Sequence, residues 1–264
     1  MHGQTVLITG ASSGIGAAFA EELATLGNSL ILVARTEATL VALAEKLRQA
    51  YGVAIEVIAL DLAKEGAPEQ LFAECSIRGL QVDVLINNAG FGSYGIFEKI
   101  DPMRLHAEVM LNAVAVLDLT RLFLPSMLRK GNGAVINVAS TAAFQPDPYM
   151  AVYGATKAFV LSFTEALWEE NRQRGIQCLA LCPGPTETAF FTDFKVDSAT
   201  LGKRDTPELV VKEALKALAE GKPFIVPGSW NVMRSTLPRF VSRRRLLTMA
   251  GHLLRPKGFA EHDR

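Results

Sequence analysis

Residues 4–16 read QTVLITGASSGIG, an apolar run rich in β-branched residues that is followed at once by three closely spaced glycines. A helical pattern then begins near Ala17 and ends at Gly27. Glycines let the backbone come close to a ligand, and a helix N-terminus offers free N–H groups. A strand, a glycine-rich turn and a helix start in this order therefore favour a diphosphate site, with an ordinary strand-to-helix turn as the alternative.

Apolar runs and helical patterns alternate along the rest of the chain. We predict strands at about 4–9, 29–34, 53–60, 82–87, 133–139, 176–182 and 223–226. We predict helices at about 14–27, 36–51, 64–78, 101–130, 150–174 and 206–220. Strands separated by amphipathic helices require crossover connections, so the pattern predicts one α/β domain with a seven-stranded parallel sheet and helices on both faces. The segments that follow the strands should meet at one edge, where such sheets bind ligands.

Composition argues against several classes of function. The chain has 264 residues, of which 49% are hydrophobic and 20% charged, and its formal net charge is zero, so nothing points to nucleic acid. Cys75, Cys178 and Cys182 lack metal-site spacing and the four histidines are scattered, so we expect no metal. No apolar stretch has the ~18–20 residues of a membrane span. With its first strand beginning almost at once, the chain is expected to be cytoplasmic.

Tyr153 and Lys157 are four residues apart in the run YGATK. On a helix this step places two side chains on one face, one turn apart. An ammonium group beside a phenol favours the phenolate and lowers a pKa that is about 10 in an unperturbed tyrosine. We therefore expect Tyr153 to exchange protons near neutral pH, as carbonyl reduction or alcohol oxidation requires. The spacing alone is weak evidence, because it arises by chance in many helices.

Six motifs occur together, in the order Thr9-Gly10-x-x-x-Gly14-x-Gly16, Asn87-Asn88-Ala89-Gly90, Asn112, Ser140, Tyr153-x-x-x-Lys157 and Pro183-Gly184. In order and interval the chain resembles the classical short-chain dehydrogenase/reductase family over about residues 4–227. The resemblance implies a Rossmann-type, doubly wound fold. It also implies a catalytic set in which Tyr153 passes the proton, Ser140 binds the reacting oxygen, Lys157 holds the nicotinamide ribose and Asn112 anchors a water. A satisfied buried amide remains the alternative for Asn112.

The resemblance further implies the contacts to a dinucleotide. They are Gly10, Ser12, Ser13, Gly14, Ile15, Gly16, Arg35, Thr36, Asp61, Leu62, Asn88, Ala89, Gly90, Tyr153, Lys157, Pro183, Gly184, Thr186 and Thr188. Thr186 stands where the family commonly has a valine, which leaves the nicotinamide contact open.

The end of the second strand indicates which dinucleotide. An NAD site usually has an acidic residue there to hold the ribose 2′-hydroxyl, but this chain has Arg35 followed by Thr36. A guanidinium group suits a 2′-phosphate, because it makes bidentate, charge-assisted hydrogen bonds. We predict NADP(H) rather than NAD(H), with Ser13 and Thr36 assisting. The alternative is that Arg35 is an ordinary surface charge, and the nearby Glu37 favours it.

Aromatic residues indicate the substrate. Residues 186–204 form the variable segment of the family and carry Phe190, Phe191 and Phe194, while Phe91, Phe144 and Tyr149 lie near the predicted edge. An apolar pocket would suit a medium or long aliphatic, acyl, steroid-like or quinone carbonyl. Ordinary packing of these aromatics is an equal alternative.

Residues 228–264 differ in charge from the rest. We predict a dinucleotide-binding and catalytic domain at 1–227 and a basic amphipathic extension of it at 228–264, where eight cations against two acids give a net charge of +6. Such a segment can lie on an anionic membrane, although we favour packing on its own domain or on a partner subunit. This segment resembles acyl- and steroid-type carbonyl reductases.

Two functions remain open. The first is an NADP(H)-dependent oxidoreductase that transfers hydride between the nicotinamide and a carbonyl or secondary alcohol of a largely apolar substrate. The second is a non-catalytic NADP(H)-binding regulator or scaffold, because a fold alone does not determine function. The intact set of Asn112, Ser140, Tyr153 and Lys157 favours the enzyme. The resemblance also implies a homo-oligomer, dimer or tetramer, that pairs through the helices at about 101–130 and 150–174.

Overall fold

The computed structural model describes residues 2–188, 190 and 204–256. In this part of the chain seven strands pair in parallel, in the order β3-β2-β1-β4-β5-β6-β7. The strands are β1 (Thr5–Thr9), β2 (Ser29–Ala34), β3 (Ile55–Ala59), β4 (Val84–Asn87), β5 (Gly133–Val138), β6 (Ile176–Leu181) and β7 (Phe224–Ile225). The predicted Rossmann-type sheet is confirmed, and its order reverses between β1 and β4, the position at which such sheets bind ligands.

Nine α-helices lie in the described residues. They are α1 (Gly14–Thr25), α2 (Glu37–Tyr51), α3 (Ala67–Ile77), α4 (Pro102–Val109), α5 (Ala115–Lys130), α6 (Ala151–Asn171), α7 (Pro207–Ala219), α8 (Ser229–Thr236) and α9 (Arg243–Leu253). The backbone is helical without a break from Pro102 to Lys130, as predicted at about 101–130, and a π-helical turn at Met110–Val114 lies between α4 and α5. Short 3₁₀ turns lie at Phe97–Lys99, Thr141–Phe144 and Leu237–Phe240.

The sheet is covered on both faces, as its apolar strands require. Alternate residues of β1 show this, because Val6 and Ile8 pack into one core cluster and Leu7 into another. The first cluster includes residues of α1, α2 and α7, and the second includes residues of α3 and α5. The carboxyl ends of β1, β4, β5 and β6 are thereby held rigidly at one edge.

Residues 228–256 return to the main domain. The Tyr94 hydroxyl donates a hydrogen bond to the carbonyl of Leu254 at 2.9 Å, and a Cβ on Gly251 would lie 3.8 Å from Pro148. This segment forms α8, a 3₁₀ turn and α9 rather than one continuous amphipathic helix. Among the described helices, none has the length and apolar character needed to cross a membrane.

Candidate active site

A cavity of about 700 Å³ lies at the carboxyl edge of the sheet. The structure brings the segments after β1, β2, β3, β4, β5 and β6 into its wall, together with Tyr153 and Lys157 of α6. All of the residues proposed above for catalysis and cofactor binding line it except Gly16 and Asn112. Among the described residues, no group of three or more His, Cys, Asp or Glu side chains could hold a metal ion.

The glycine turn after β1 is shaped by steric limits. Gly10 and Gly14 have φ angles of +64° and +54°, a region that residues with a Cβ rarely adopt. A Cβ on Gly14 would lie 2.8 Å from Thr188 Cγ2, and one on Gly16 would lie 2.2 Å from the carbonyl oxygen of Gly10. Gly16 therefore lets α1 close against the turn, Gly14 lets Thr188 approach, and the backbone of Gly10 and Gly14 lines a cradle in the cavity at the α1 N-terminus.

The loop after β4 is fastened to this turn. The Thr9 hydroxyl accepts hydrogen bonds from the backbone N–H groups of Asn88 and Ala89, both at 3.0 Å. The Asn88 amide donates to the carbonyls of Thr9 at 2.9 Å and Gly10 at 3.2 Å. The side chain of Asn88 thus joins the two loops by hydrogen bonds, and Asn88 also lines the cavity.

Lys157 projects from α6 into the buried floor of the site. Its Nζ donates a hydrogen bond to the carbonyl of Val138 at 2.7 Å, at the end of β5. Burial lowers the pKa of Lys157 to about 8, although the nearby Cys182 and Glu108 act in the opposite direction. The ammonium form therefore predominates at neutral pH and is lost within the experimentally accessible range.

Tyr153 behaves differently from the sequence prediction. Burial raises the pKa of its phenol above the usual value; a hydrogen bond with Ser140 opposes this, and the charges of Asp147 and Glu108 add to it. The expected lowering by Lys157 is wrong for this structure, because the ammonium bonds to Val138 and lies 5.8 Å from the tyrosine ring centroid. Tyr153 is consequently a protonated phenol at neutral pH, suited to donate a proton.

Asn112 is buried within the π-helical turn between α4 and α5. Its amide nitrogen donates to the carbonyl of Phe91 at 2.7 Å and to the Thr156 hydroxyl at 3.2 Å, and its oxygen accepts from the Phe91 N–H at 3.1 Å. A Cβ on Gly90 would lie 2.9 Å from Asn112 Oδ1 and 3.4 Å from Lys157 Nζ. The side chain therefore braces the loop after β4 beside Lys157, and its role in anchoring a water stays a prediction.

One end of the cavity lies beyond the carboxyl ends of β2 and β3. Arg35 and Thr36 are exposed after β2, and Asp61 and the buried Leu62 follow β3. Asp61 Oδ1 accepts a hydrogen bond from the N–H of Ala63 at 3.2 Å, which fixes the turn. Within the described part of the chain, the Arg35 guanidinium has no hydrogen bond or ion pair, so it is available to a ligand.

The segment after β6 closes the opposite end of the cavity. A Cβ on Gly184 would lie 2.4 Å from Asn231 Oδ1, so this glycine allows α8 to approach. Asn231 in turn donates hydrogen bonds to Asp205 Oδ2 at 2.7 Å and to the carbonyl of Pro227 at 2.9 Å. Thr186, the departure from the family pattern, is buried and donates to the carbonyl of Gly184 at 3.0 Å.

Several residues that line the cavity are not among the site residues predicted from the sequence. They are Arg104, Leu111, Gln145, Asp147, Met150, Asn231, Arg234, Ser235, Leu237, Pro238, Leu246, Met249, Ala250, Leu253 and Leu254. The positions within α9 fall at helical spacing and could have been found from it, but no motif marks the others. Asp147 is buried, which raises its pKa to about 6 despite a hydrogen bond from Gln145 at 3.2 Å.

The predicted aromatic residues divide into three groups. Phe91, Phe144 and Phe190 line the cavity, and the Phe190 ring lies 5.3 Å from that of Tyr153. Tyr149 lines a separate, smaller cavity. Phe191 and Phe194 lie outside the described residues.

Known proteins resemble the chain in sequence. The model of the short chain dehydrogenase family matches residues 4–198. The very-long-chain 3-oxoacyl-CoA reductase of Bos taurus is 31% identical over 220 residues, covering 82% of this chain and 69% of that protein. The ketoacyl reductase HetN of Nostoc sp. is 32% identical over 219 residues, covering 83% and 76%.

Solved structures agree with these relatives. A short-chain dehydrogenase from Sphingobium yanoikuyae in complex with NADPH is 32% identical, with a TM-score of 0.82 over 98% of this chain and 99% of that one. A 7beta-hydroxysteroid dehydrogenase has a TM-score of 0.86 at 28% identity, over 95% and 97%. The glycine turn, Ser140, Tyr153 and Lys157 line one cavity in this structure, and their roles stay a prediction. The chain belongs to the short-chain dehydrogenase/reductase family, whose members are NAD(P)-dependent oxidoreductases acting on carbonyl or alcohol substrates.

Proposed function

We propose that this protein is an NADP(H)-dependent reductase of apolar carbonyl compounds. The observation that carries the proposal is the division of a single cavity. A free guanidinium lies at one end, and a protonated phenol lies among aromatic and aliphatic side chains at the other. The first end fits a 2′-phosphate and the second fits an apolar carbonyl that takes up a proton.

The cradle and its surroundings fit a dinucleotide phosphate. The backbone of Gly10 and Gly14 lines the cavity at the α1 N-terminus, where free N–H groups favour a diphosphate, and the Ser13 side chain makes no capping hydrogen bond. Arg35 and Thr36 would hold the 2′-phosphate. The adenine would contact Asp61 and Leu62, and the nicotinamide side would contact Thr186 and Thr188. The dihydronicotinamide supplies the hydride when it is bound.

The protein supplies the proton and the orientation. Ser140 and Tyr153 direct two hydroxyl groups at the substrate oxygen, which stabilises the negative charge that develops there. Tyr153 then transfers its proton to that oxygen. Lys157, charged at neutral pH, stabilises the tyrosinate that results. The raised pKa of Tyr153 supports the reductive direction, because the phenol holds its proton until the substrate oxygen becomes basic.

The far wall supports an apolar substrate. Leu246, Met249, Ala250, Leu253 and Leu254 of the α9 region face the cavity at helical spacing, and Phe144 and Phe190 complete the wall. Similar proteins are named as reductases of very-long-chain 3-oxoacyl-CoA and as hydroxysteroid dehydrogenases. An acyl or steroid-type carbonyl is therefore the substrate class that we propose.

The test is NADPH oxidation, followed by absorbance, with 3-oxoacyl thioesters, steroid ketones, aliphatic ketones and quinones. We expect turnover with one of these classes and a lower KM for NADPH than for NADH. Arg35→Ser should raise the KM for NADPH about tenfold or more and leave that for NADH unchanged, because it removes charge-assisted hydrogen bonds to the 2′-phosphate alone. A wild-type preference for NADH would refute the cofactor proposal, and NADPH binding without turnover on any class would refute the reductase.

We also propose a cytoplasmic homo-oligomer. Met103 and Val109 of α4, Leu117 of α5 and Phe159 of α6 are exposed, which supports pairing through these helices. The three cysteines are free and buried, which supports a reducing compartment. Light scattering on the wild type and on Leu117→Glu/Phe159→Glu tests the interface, and an unchanged mass in the variant would exclude it.

A further inference from the structure

Helix α8 has its polar and apolar faces reversed. Its buried residues are Asn231 and Ser235, which are 5% and 7% exposed and lie one turn apart. Trp230 and Met233 are 57% and 53% exposed. A surface helix of a globular protein normally buries its apolar stripe and exposes its polar one.

The reversal has a local cause. Asn231 donates hydrogen bonds to Asp205 and Pro227 and packs against Gly184. Because these contacts are with the main domain, this side of α8 faces the domain. The opposite side then carries Trp230, Met233 and Leu237 outward at spacings of three and four residues, and Phe240 follows at 82% exposure. We call these four residues the outer apolar face.

Cations adjoin the outer apolar face. Residues 228–256 include six arginines and no aspartate or glutamate. Arg234 lies within α8, and the exposed Arg243, Arg244 and Arg245 open α9 three residues after Phe240. Three residues span at most about 11 Å, so the backbone of Arg243 lies within that distance of Phe240 at the end of the outer apolar face.

The positive charge beside the outer apolar face favours one kind of binding partner. In a symmetric dimer the same patch would meet itself, and its arginines would repel one another. An anionic bilayer offers both complements, because acyl chains accept Trp230 and Phe240 while phosphate and carboxylate headgroups accept the arginines. We propose that the outer apolar face and Arg243–Arg245 dock this protein on anionic lipid membranes.

The location of this face gives the docking a consequence. Leu237 belongs both to the outer apolar face and to the wall of the cavity, and Pro238 beside it lines the cavity as well. The cavity wall therefore borders the surface that would meet the bilayer. An apolar molecule dissolved in the membrane would have a short path to Tyr153 that avoids water.

Sedimentation of the full-length protein with vesicles tests the proposal and needs no substrate. We expect binding to vesicles that contain equal parts of phosphatidylserine and phosphatidylcholine, and little binding to phosphatidylcholine alone. Each arginine near such a surface contributes about 1 kcal/mol, so Arg243→Glu/Arg244→Glu/Arg245→Glu should weaken binding about a hundredfold or more. Lys46→Glu/Lys212→Glu/Lys216→Glu makes the same change in net charge at exposed positions elsewhere and should bind almost as wild type.

Trp230 reports whether the apolar face inserts. Its fluorescence should shift to shorter wavelength on anionic vesicles, and Trp230→Phe should bind while losing most of that shift. Absence of sedimentation with anionic vesicles, or equal loss of binding in both triple variants, would overturn the proposal. A shift of Trp230 emission that follows protein concentration without vesicles would overturn it too, because it would show that a second copy covers the face.

Discussion

The two ends of the cavity are built in opposite ways. At the glycine turn the backbone makes the site. Gly10 lies against the loop after β4, Gly14 against Thr188 and Gly16 against Gly10, each at a distance that leaves no room for a Cβ. In the α9 region side chains make the wall, and a Cβ on Gly251 would meet Pro148 at an ordinary 3.8 Å. A phosphate-binding turn needs a fixed backbone, while an apolar wall needs only enough apolar surface. We therefore expect the first end to be intolerant of change and the second to be adaptable.

The largest effect should come from the chemical group between the two ends. Tyr153→Phe removes the proton donor and leaves the ring that packs beside Phe190. We expect kcat to fall about 10²- to 10⁴-fold, the usual contribution of a general acid, with NADPH affinity little changed. Steady-state kinetics and a fluorescence titration with NADPH measure the two quantities. Retention of more than a tenth of the wild-type kcat would show that another group delivers the proton.

The contrast between backbone and side-chain construction can be tested with matched glycine substitutions. In Gly16→Ala the new methyl group would lie 2.2 Å from the Gly10 carbonyl oxygen, so we expect a loss of about 3 kcal/mol or more in the free energy of unfolding. Gly251→Ala adds the same atom in ordinary van der Waals contact within α9 and should change stability by less than about 1 kcal/mol. Urea unfolding of both variants gives the comparison, and equal effects would contradict it.

A smaller effect is expected at Asp147, whose carboxyl group is buried in the wall of the cavity. Its pKa rises to about 6 in the folded protein from an ordinary 3.8, so the folded state holds this proton more tightly. The stability that the proton provides is complete below about pH 4 and is lost as the pH rises through 6. Asp147→Asn cannot ionise, so its free energy of unfolding should exceed that of the wild type by about 3 kcal/mol at pH 8.

The pH itself provides the control for this variant. The two proteins should approach equal stability near pH 3, where the Asp147 carboxyl is mostly protonated in the folded and in the unfolded state. Urea unfolding at a series of pH values measures the difference. A difference that does not change with pH would mean that the buried carboxylate is not its source.

The smallest effect should appear in the pH dependence of reduction. Lys157 has its pKa lowered to about 8, so kcat/KM should fall about tenfold per pH unit above 8 as the ammonium loses its proton. Tyr153 does not contribute in this window, because its pKa is raised and it stays protonated. A pH–rate profile with NADPH tests this, and a flat profile up to pH 10 would show that the charge of Lys157 is not required.

The glycine turn and the pairing of Tyr153 with Lys157 could be predicted from the sequence, because their sequence signals are local. The glycine turn needs three residues without a Cβ, and all three lie within seven positions of the sequence. Tyr153 and Lys157 lie on the same face of α6 because one helical turn separates them. The alternation of strands and helices similarly implied a parallel sheet, whose carboxyl ends must share an edge. These inferences depend on steric limits and periodicity, which act over a few residues.

The remaining features depend on contacts between distant residues. The raised pKa of Tyr153 follows from burial and from Asp147 and Glu108, so the four-residue spacing to Lys157 could not reveal it. The brace from Asn112 to Phe91 spans 21 positions, and the hydrogen bond from Asn231 to Asp205 spans 26. The reversed faces of α8 follow from that second bond. Sequence by itself determined the sheet, the glycine turn and which residue types line the cavity. Tertiary structure decided the protonation of Tyr153 and Lys157 and which side of α8 faces outward, because electrostatics and burial depend on every group packed nearby.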